Sequence, residues 1–164
     1  MSDFPEGYFY IQSRNCGKVI DVEGASKKND ANILLWTPKH DNDRDNQLWY
    51  YQDGFLINKH SQKVLDIRGE TIVENAKIIQ YDRKLIVDAH NQRWGYNRKD
   101  GYIYVLSDPH FVLVVKGGST LDGTKITLAS KKYTLDSHQT QLWDLIPAGK
   151  VRSEREVLFE TNFD

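Results

Sequence analysis

Asp41-Asn42-Asp43-Arg44-Asp45 is the densest run of cation-ligand side chains in the chain. A calcium loop that opens this way needs a glycine at its sixth position and a bidentate glutamate at its twelfth. Asn46 and Gln52 stand there instead, so the run reads as a solvated loop and no metal is expected. The five histidines are scattered without a His-x-x-x-His spacing, and no second cysteine stands near them, so no zinc site is expected. Cys16 is the only cysteine. It has no activating base beside it and reads as an inert thiol rather than a nucleophile. Gly117-Gly118-Ser119-Thr120-Leu121-Asp122-Gly123 is glycine-rich, but no Lys-Ser/Thr and helix follow it, so it reads as a hairpin loop rather than a phosphate cradle. Glu154 and Glu156 flank Arg155 with no nucleophile–base pair in reach. Lys27-Lys28 and Lys131-Lys132 read as solvated loops. The sequence therefore gives no ground for covalent, metal-assisted or cofactor chemistry, and the chain is expected not to be an enzyme.

The side chains that recur at a fixed spacing are of another kind. Asn46-Gln47-Leu48-Trp49 returns as Asn91-Gln92-Arg93-Trp94 and again as Thr140-Gln141-Leu142-Trp143, with glutamines 45 and then 49 residues apart. Self-similarity at such a period marks a repeat architecture. On a strand the Gln and Trp of each block point to one face. A buried Trp needs a partner for its indole N–H, and the neighbouring Gln amide could supply it. The tryptophans therefore read as core.

The elements around these blocks repeat as well. Each unit opens on a Gly-aromatic strand at 7–12, 54–58 and 101–105. A β-branched strand ending near a glycine follows at 19–24, 64–69 and 112–117, and a third strand at 33–36, 78–81 and 126–129. The Gln-x-Trp strand closes the unit. Four short strands with polar, Gly- and Asp-rich turns, three times over, predict an all-β, barrel-like domain. A tail from about Pro147 to Asp164 remains. It carries Ser153-Glu154-Arg155-Glu156, a capping-box pattern before Val157-Leu158-Phe159, and is expected to pack on the domain or at an interface.

Charge is balanced, with 22 basic and 23 acidic residues in 164. A nucleic-acid partner or an anionic membrane would want a basic excess. No apolar run reaches the length of a membrane span, so no membrane insertion is expected. The N-terminus lacks the basic and apolar regions of a secretory signal, and a lone cysteine suits a reducing compartment. A cytoplasmic home is the expectation, with export by a non-signal route left open, as monomer or homodimer.

Three Gln-x-Trp blocks, each preceded by a strand such as Val19-Ile20-Asp21-Val22 or Val64-Leu65-Asp66-Ile67, resemble the ricin B-type lectin family over about residues 7–146. With no signal and no disulfide, the chain looks more like the small single-domain cytosolic lectins of fungi than the secreted plant chains. The resemblance implies a β-trefoil spanning 1–146, with repeats at about 7–52, 53–98 and 99–146. It also implies up to one shallow sugar pocket per repeat, commonly for galactose or N-acetylgalactosamine. The family's pocket uses an Asp on the second strand, an aromatic ending the third, and an Asn just before the Gln-x-Trp. Repeat one supplies Asp21, Trp36, Asn46 and Gln47; repeat two supplies Asp66, Tyr81, Asn91 and Gln92. In both, the Asp and aromatic are 15 residues apart and the aromatic and Asn 10. Repeat three has Val114, Ala129 and Thr140 in these places, so its pocket is expected to be degenerate. Many relatives carry a Gln two residues before the aromatic, where Leu34 and Ile79 stand here, and this bears on fine specificity.

The residue types suit the implied ligand. Galactose has an axial O4, which leaves one ring face as a patch of C–H groups that a flat indole or phenol can cover. A carboxylate accepts from two adjacent hydroxyls, and such charge-assisted bonds are worth roughly 1.5–3 kcal/mol each. Asn and Gln amides complete the set. Both carboxylates are expected at the surface. The expectation is thus a lectin for galactoside-bearing glycans. The alternative is a trefoil that serves as a protein-interaction module, such as a protease inhibitor.

Overall fold

The computed structural model describes residues 2–85, 89–133 and 138–150. Of the tail, Pro147 ends a strand, and residues 151–164, including Val157-Leu158-Phe159, lie outside the described residues. Twelve strands occur among those described. They are β1 (Phe9–Ser13), β2 (Val19–Val22), β3 (Ile33–Trp36), β4 (Trp49–Gln52), β5 (Phe55–Asn58) and β6 (Val64–Ile67). Then come β7 (Ile78–Tyr81), β8 (Trp94–Tyr96), β9 (Ile103–Val105), β10 (Asp108–Val115), β11 (Ile126–Ser130) and β12 (Trp143–Pro147).

Why these stretches are strands is plain from their composition. β2, β3, β6 and β7 are runs of Val, Ile and Leu that are buried almost throughout, as β-branched side chains suit a pleated surface covered on both faces. The hairpin loops between them turn at positive-φ residues, Asp30 among them, where the chain must reverse sharply.

β1, β4, β5, β8, β9 and β12 form the barrel. β1 pairs antiparallel with both β12 and β4, β4 with β5, and β8 with β9. The Trp94 and Trp143 amides donate to the Gly54 and Gly101 carbonyls and tie β8 and β12 to the turns before β5 and β9. The remaining strands make the hairpins β2–β3, β6–β7 and β10–β11. Isolated bridges join hairpin to hairpin: Asn32 with Ile79, Leu34 with Lys125, and Lys77 with Thr127. The three hairpins thus meet around one pseudo-threefold axis, the arrangement of a β-trefoil.

The three repeated tryptophans fill the centre. Trp49, Trp94 and Trp143 are fully buried in one cluster with residues such as Ile11, Leu56 and Val105 from barrel strands. An indole burying roughly 200 Å2 contributes about 5 kcal/mol of gross transfer free energy at about 25 cal/mol per Å2. The indole N–H groups do not go to the neighbouring glutamines, as the sequence suggested. Trp49, Trp94 and Trp143 Nε1 donate to the carbonyls of Ile20, Leu65 and Leu113, at 3.3, 3.1 and 3.1 Å. The physical reason is local geometry. Gln47 and Gln141 end short 3-10 turns and Gln92 lies in a turn, so each Gln precedes the strand that Trp begins and points elsewhere.

Candidate functional site

Each indole grips the second strand of its repeat one residue before the position of interest. In repeat two that position is Asp66. Leu65 on its N-terminal side accepts from Trp94, and Ile67 on its C-terminal side accepts from Asn91 Nδ2 at 3.1 Å. Gln92 Nε2 donates to Asp66 Oδ2 at 2.8 Å and to the Asp82 carbonyl at 3.0 Å, while its Oε1 accepts from the Lys84 amide. Tyr81 ends β7 and is 42% exposed. Lys84 Nζ donates to Asn91 Oδ1 at 2.8 Å and pairs with Glu70. Asp66, Ile79, Tyr81, Lys84 and Asn91 line an open cleft of about 510 Å3.

Repeat one has the same construction. Asp21 receives Gln47 Nε2 at 2.9 Å and Asn46 Nδ2 at 3.2 Å. Asn46 also donates to the Val22 carbonyl, and Gln47 to that of Thr37. Lys39 Nζ donates to Asn46 Oδ1 at 2.7 Å, and Trp36 stands 40% exposed at the end of β3. Repeat three keeps the scaffold only. Gln141 bonds the Ser130 carbonyl and the Lys132 amide as its counterparts do. Val114 and Ala129 replace the carboxylate and the ring beside a smaller cleft of about 200 Å3.

The structure thus brings Asp, aromatic and Asn together twice, but not at equal depth. Asp21 and Asp66 are each only 4% exposed, so Asp66 forms the floor of its cleft and Asp21 lies at the same depth, rather than on the surface. They face Leu34 and Ile79 across the hairpin register, two buried apolar residues that keep water off them. Gln47 and Gln92 are fully buried, with both ends of each amide in use. They stand behind the carboxylates and hold them, instead of facing the cleft as the sequence suggested. Lys39 and Lys84 were missed. They occupy one position, three residues past the aromatic, and Lys132 recurs at the same place. A lysine in a polar loop reads as solvated until its amine is seen on the pocket Asn.

Burial pushes both carboxyls above their ordinary value of 3.8. Against it act the Gln47 bond, the Lys39 charge and the Asn46 bond at Asp21. At Asp66 the Gln92 bond and Lys84 act against it, while Glu70 adds to the rise. The native state therefore holds these protons more tightly than the unfolded chain does. This favours folding below the ordinary value and is lost as pH rises through the raised one. A ligand whose hydroxyls donate to the carboxylate has the opposite dependence. We expect its affinity to fall on acidification already above pH 3.8, in the window where the native carboxyls take up protons but the fold is not penalised by them. Titration calorimetry against pH, with melting followed alongside, checks this; an affinity flat down to the ordinary carboxylate range contradicts it.

Comparison with known proteins gives the family and the fold. The model of the ricin-type beta-trefoil lectin domain family matches residues 7–143. Mucoricin of Rhizopus delemar is 48% identical over 59 residues, 35% of this chain and 40% of that protein, so the match spans well under half of its length. The designed threefold-symmetric protein ThreeFoil is 30% identical and superposes with a TM-score of 0.71, over 86% of this chain and 99% of that one. The C-half of an earthworm R-type lectin, solved with GalNAc, is 24% identical with a TM-score of 0.72, over 87% and 98% of the two chains.

Proposed function

This chain belongs to the family of ricin-type beta-trefoil lectin domains, and on that premise we propose that it binds terminal galactose or N-acetylgalactosamine through two pockets, on repeats one and two. The observation that carries the proposal is the repeated juxtaposition of a buried carboxylate floor with an exposed ring. Asp21 lies with Trp36 and Lys39, and Asp66 with Tyr81 and Lys84. The earthworm lectin was solved with GalNAc, and at 24% identity that likeness carries the fold; the sugar class proposed here rests on the side chains.

Binding follows from what each group can do. The ring of Trp36 or Tyr81 covers the C–H face of the sugar and sets its plane. The carboxylate, already turned by Gln47 or Gln92, accepts from two vicinal hydroxyls and so reads the axial O4. Because the Gln bonds exist before the sugar arrives, little order is lost on binding. Lys39 and Lys84 offer ammonium protons beside the Asn. Catalysis has no part in this scheme, since a sugar held by hydrogen bonds and stacking leaves unchanged.

A ligand that binds only the native state raises its melting temperature by mass action. We expect tens of millimolar lactose to raise the melting temperature of this chain. Glucose at equal concentration, with an equatorial O4, should leave it nearly unmoved. No shift with any galactoside contradicts the proposal. Val114 offers no acceptor and Ala129 no ring, so a lactose-soaked crystal should show sugar beside Asp21 and Asp66 and none beside Val114.

A further inference from the structure

The two pockets share a floor but not a wall. Each pocket is bordered by the hairpin loop of another repeat, and the backbone shows which residues correspond. The Asp30 amide donates to the Gln80 carbonyl and the Gly123 amide to that of Leu35, two steps of the same pseudo-threefold relation. Asn29 Oδ1 likewise accepts from the Asp82 amide, and Asp122 Oδ1 from that of Thr37. Repeat two is therefore walled by Asn29 and Asp30 from repeat one, and repeat one by Asp122 and Gly123 from repeat three.

On the repeat-two side this wall is built up. Arg68 Nε and Nη2 reach Asp30 Oδ1 and Oδ2 at 2.8 and 3.3 Å. Asn29, Asp30, Arg68 and Glu70 all border the same cleft as Asp66 and Tyr81. On the repeat-one side Gly123 replaces Asp30, Glu23 replaces Arg68 and Ala25 replaces Glu70. Glu23 turns to Asn32 instead. The ion pair that crosses between repeats there is Lys18 with Asp122 at 3.2 Å, and it brings no guanidinium and no counterpart of Glu70 to the wall. The repeat-two cleft of about 510 Å3 also exceeds one sugar ring. A hexose displaces about six waters, or roughly 180 Å3 at about 30 Å3 each.

Resting on the galactoside reading, we propose that the repeat-two pocket is a disaccharide site, whose second, uncharged sugar residue lies against Asn29, Asp30 and Arg68, while the repeat-one pocket takes the terminal residue alone. The wall suits neutral hydroxyls. An ion pair presents guanidinium donors and carboxylate acceptors side by side, and each hydroxyl can use both. An acidic second residue would meet Asp30 and Glu70 and would have to displace Asp30 from Arg68.

The test isolates each pocket. Asp21→Ala leaves the repeat-two pocket and Asp66→Ala the repeat-one pocket, and each full-length variant is titrated with methyl β-galactoside, lactose and a sialylated lactose. Through the repeat-two pocket, lactose should bind about tenfold tighter than the monosaccharide, the effect of one or two further hydrogen bonds. Through the repeat-one pocket the ratio should stay within about twofold, as expected where no added contact forms. Adding Asp30→Gly and Arg68→Glu, which remove the Arg68–Asp30 ion pair from the repeat-two wall at exposed residues, should reduce the lactose advantage to the repeat-one ratio. Galactoside binding with equal ratios in the two pockets overturns this proposal and leaves the galactoside reading standing. Tighter binding of the sialylated sugar than of lactose overturns the choice of a neutral occupant. No binding of any of the three sugars overturns the reading beneath it as well.

Discussion

Asp21→Ala and Asp66→Ala should each halve the stoichiometry of galactoside binding, and together they should abolish it, with the protein folded throughout. The carboxylate supplies the charged acceptor at the base of the site, and charge-assisted bonds to two hydroxyls, at roughly 1.5–3 kcal/mol each, are most of what a shallow site has to offer. A millimolar constant is itself only about −4 kcal/mol. Folding should survive although both residues are buried. Without Asp21, Gln47 Nε2 keeps the Thr37 carbonyl and Asn46 Nδ2 keeps that of Val22. Without Asp66, Gln92 keeps the Asp82 carbonyl and Asn91 that of Ile67. The alanines also remove a carboxylate whose ionised form burial disfavours. Two pockets on one rigid domain turn weak sites into strong adhesion on a dense glycan surface, by roughly 10²–10⁴. In a monomer, then, either single change should end agglutination of galactoside-bearing cells while monovalent binding persists at half stoichiometry. Agglutination that survives both single changes points to a dimer; full stoichiometry in either single variant shows that the pockets lie elsewhere.

The second large effect is on stability. Trp143→Ala should cost about 3–5 kcal/mol, within the range for deleting a buried indole, although its repeat has no pocket to build. The ring is fully buried in the shared core, and its N–H satisfies the Leu113 carbonyl. Set against a typical total of about 5–15 kcal/mol, the loss leaves a chain close to unfolding. Trp143→Phe keeps most of the packing but strands the Leu113 carbonyl, for about 1–3 kcal/mol. If chemical denaturation finds Trp143→Ala milder than 1 kcal/mol or so, the repeated tryptophans are not the common scaffold described here.

What the sequence made legible follows from which interactions carry a pattern. The strands were readable because β-branched runs such as Val64–Ile67 stop at turn residues, and because the pattern recurs three times. β10 begins earlier than its apolar run, at Asp108, since Asp108, Pro109 and His110 lie at a partly exposed, bulged start with no alternation to show it. β12 runs to Pro147, and the Ala148 amide still donates to Tyr8; a proline at a strand end resembles the start of a linker. The Asp, aromatic and Asn positions of the candidate site were legible through family resemblance and equal spacing. The depth of the aspartates was not, because it depends on Leu34 and Ile79 across the hairpin. The indole partners were hidden for a similar reason, since backbone carbonyls leave no trace in residue types. Nothing in the residue type of Lys39 or Lys84 marks it as different from any other lysine, and the wall of the repeat-two pocket depends on Asp30 meeting Arg68 from another repeat, which no local reading supplies.

The most direct measurement is calorimetric titration of the unaltered chain with methyl β-galactoside and, in parallel, with methyl β-glucoside, which differ only in the orientation of O4. Two carboxylate-floored pockets predict saturable heat for the galactoside at close to two sites per chain and none for the glucoside. Equal binding of both sugars, or no binding of the galactoside at any attainable concentration, contradicts recognition through Asp21 and Asp66.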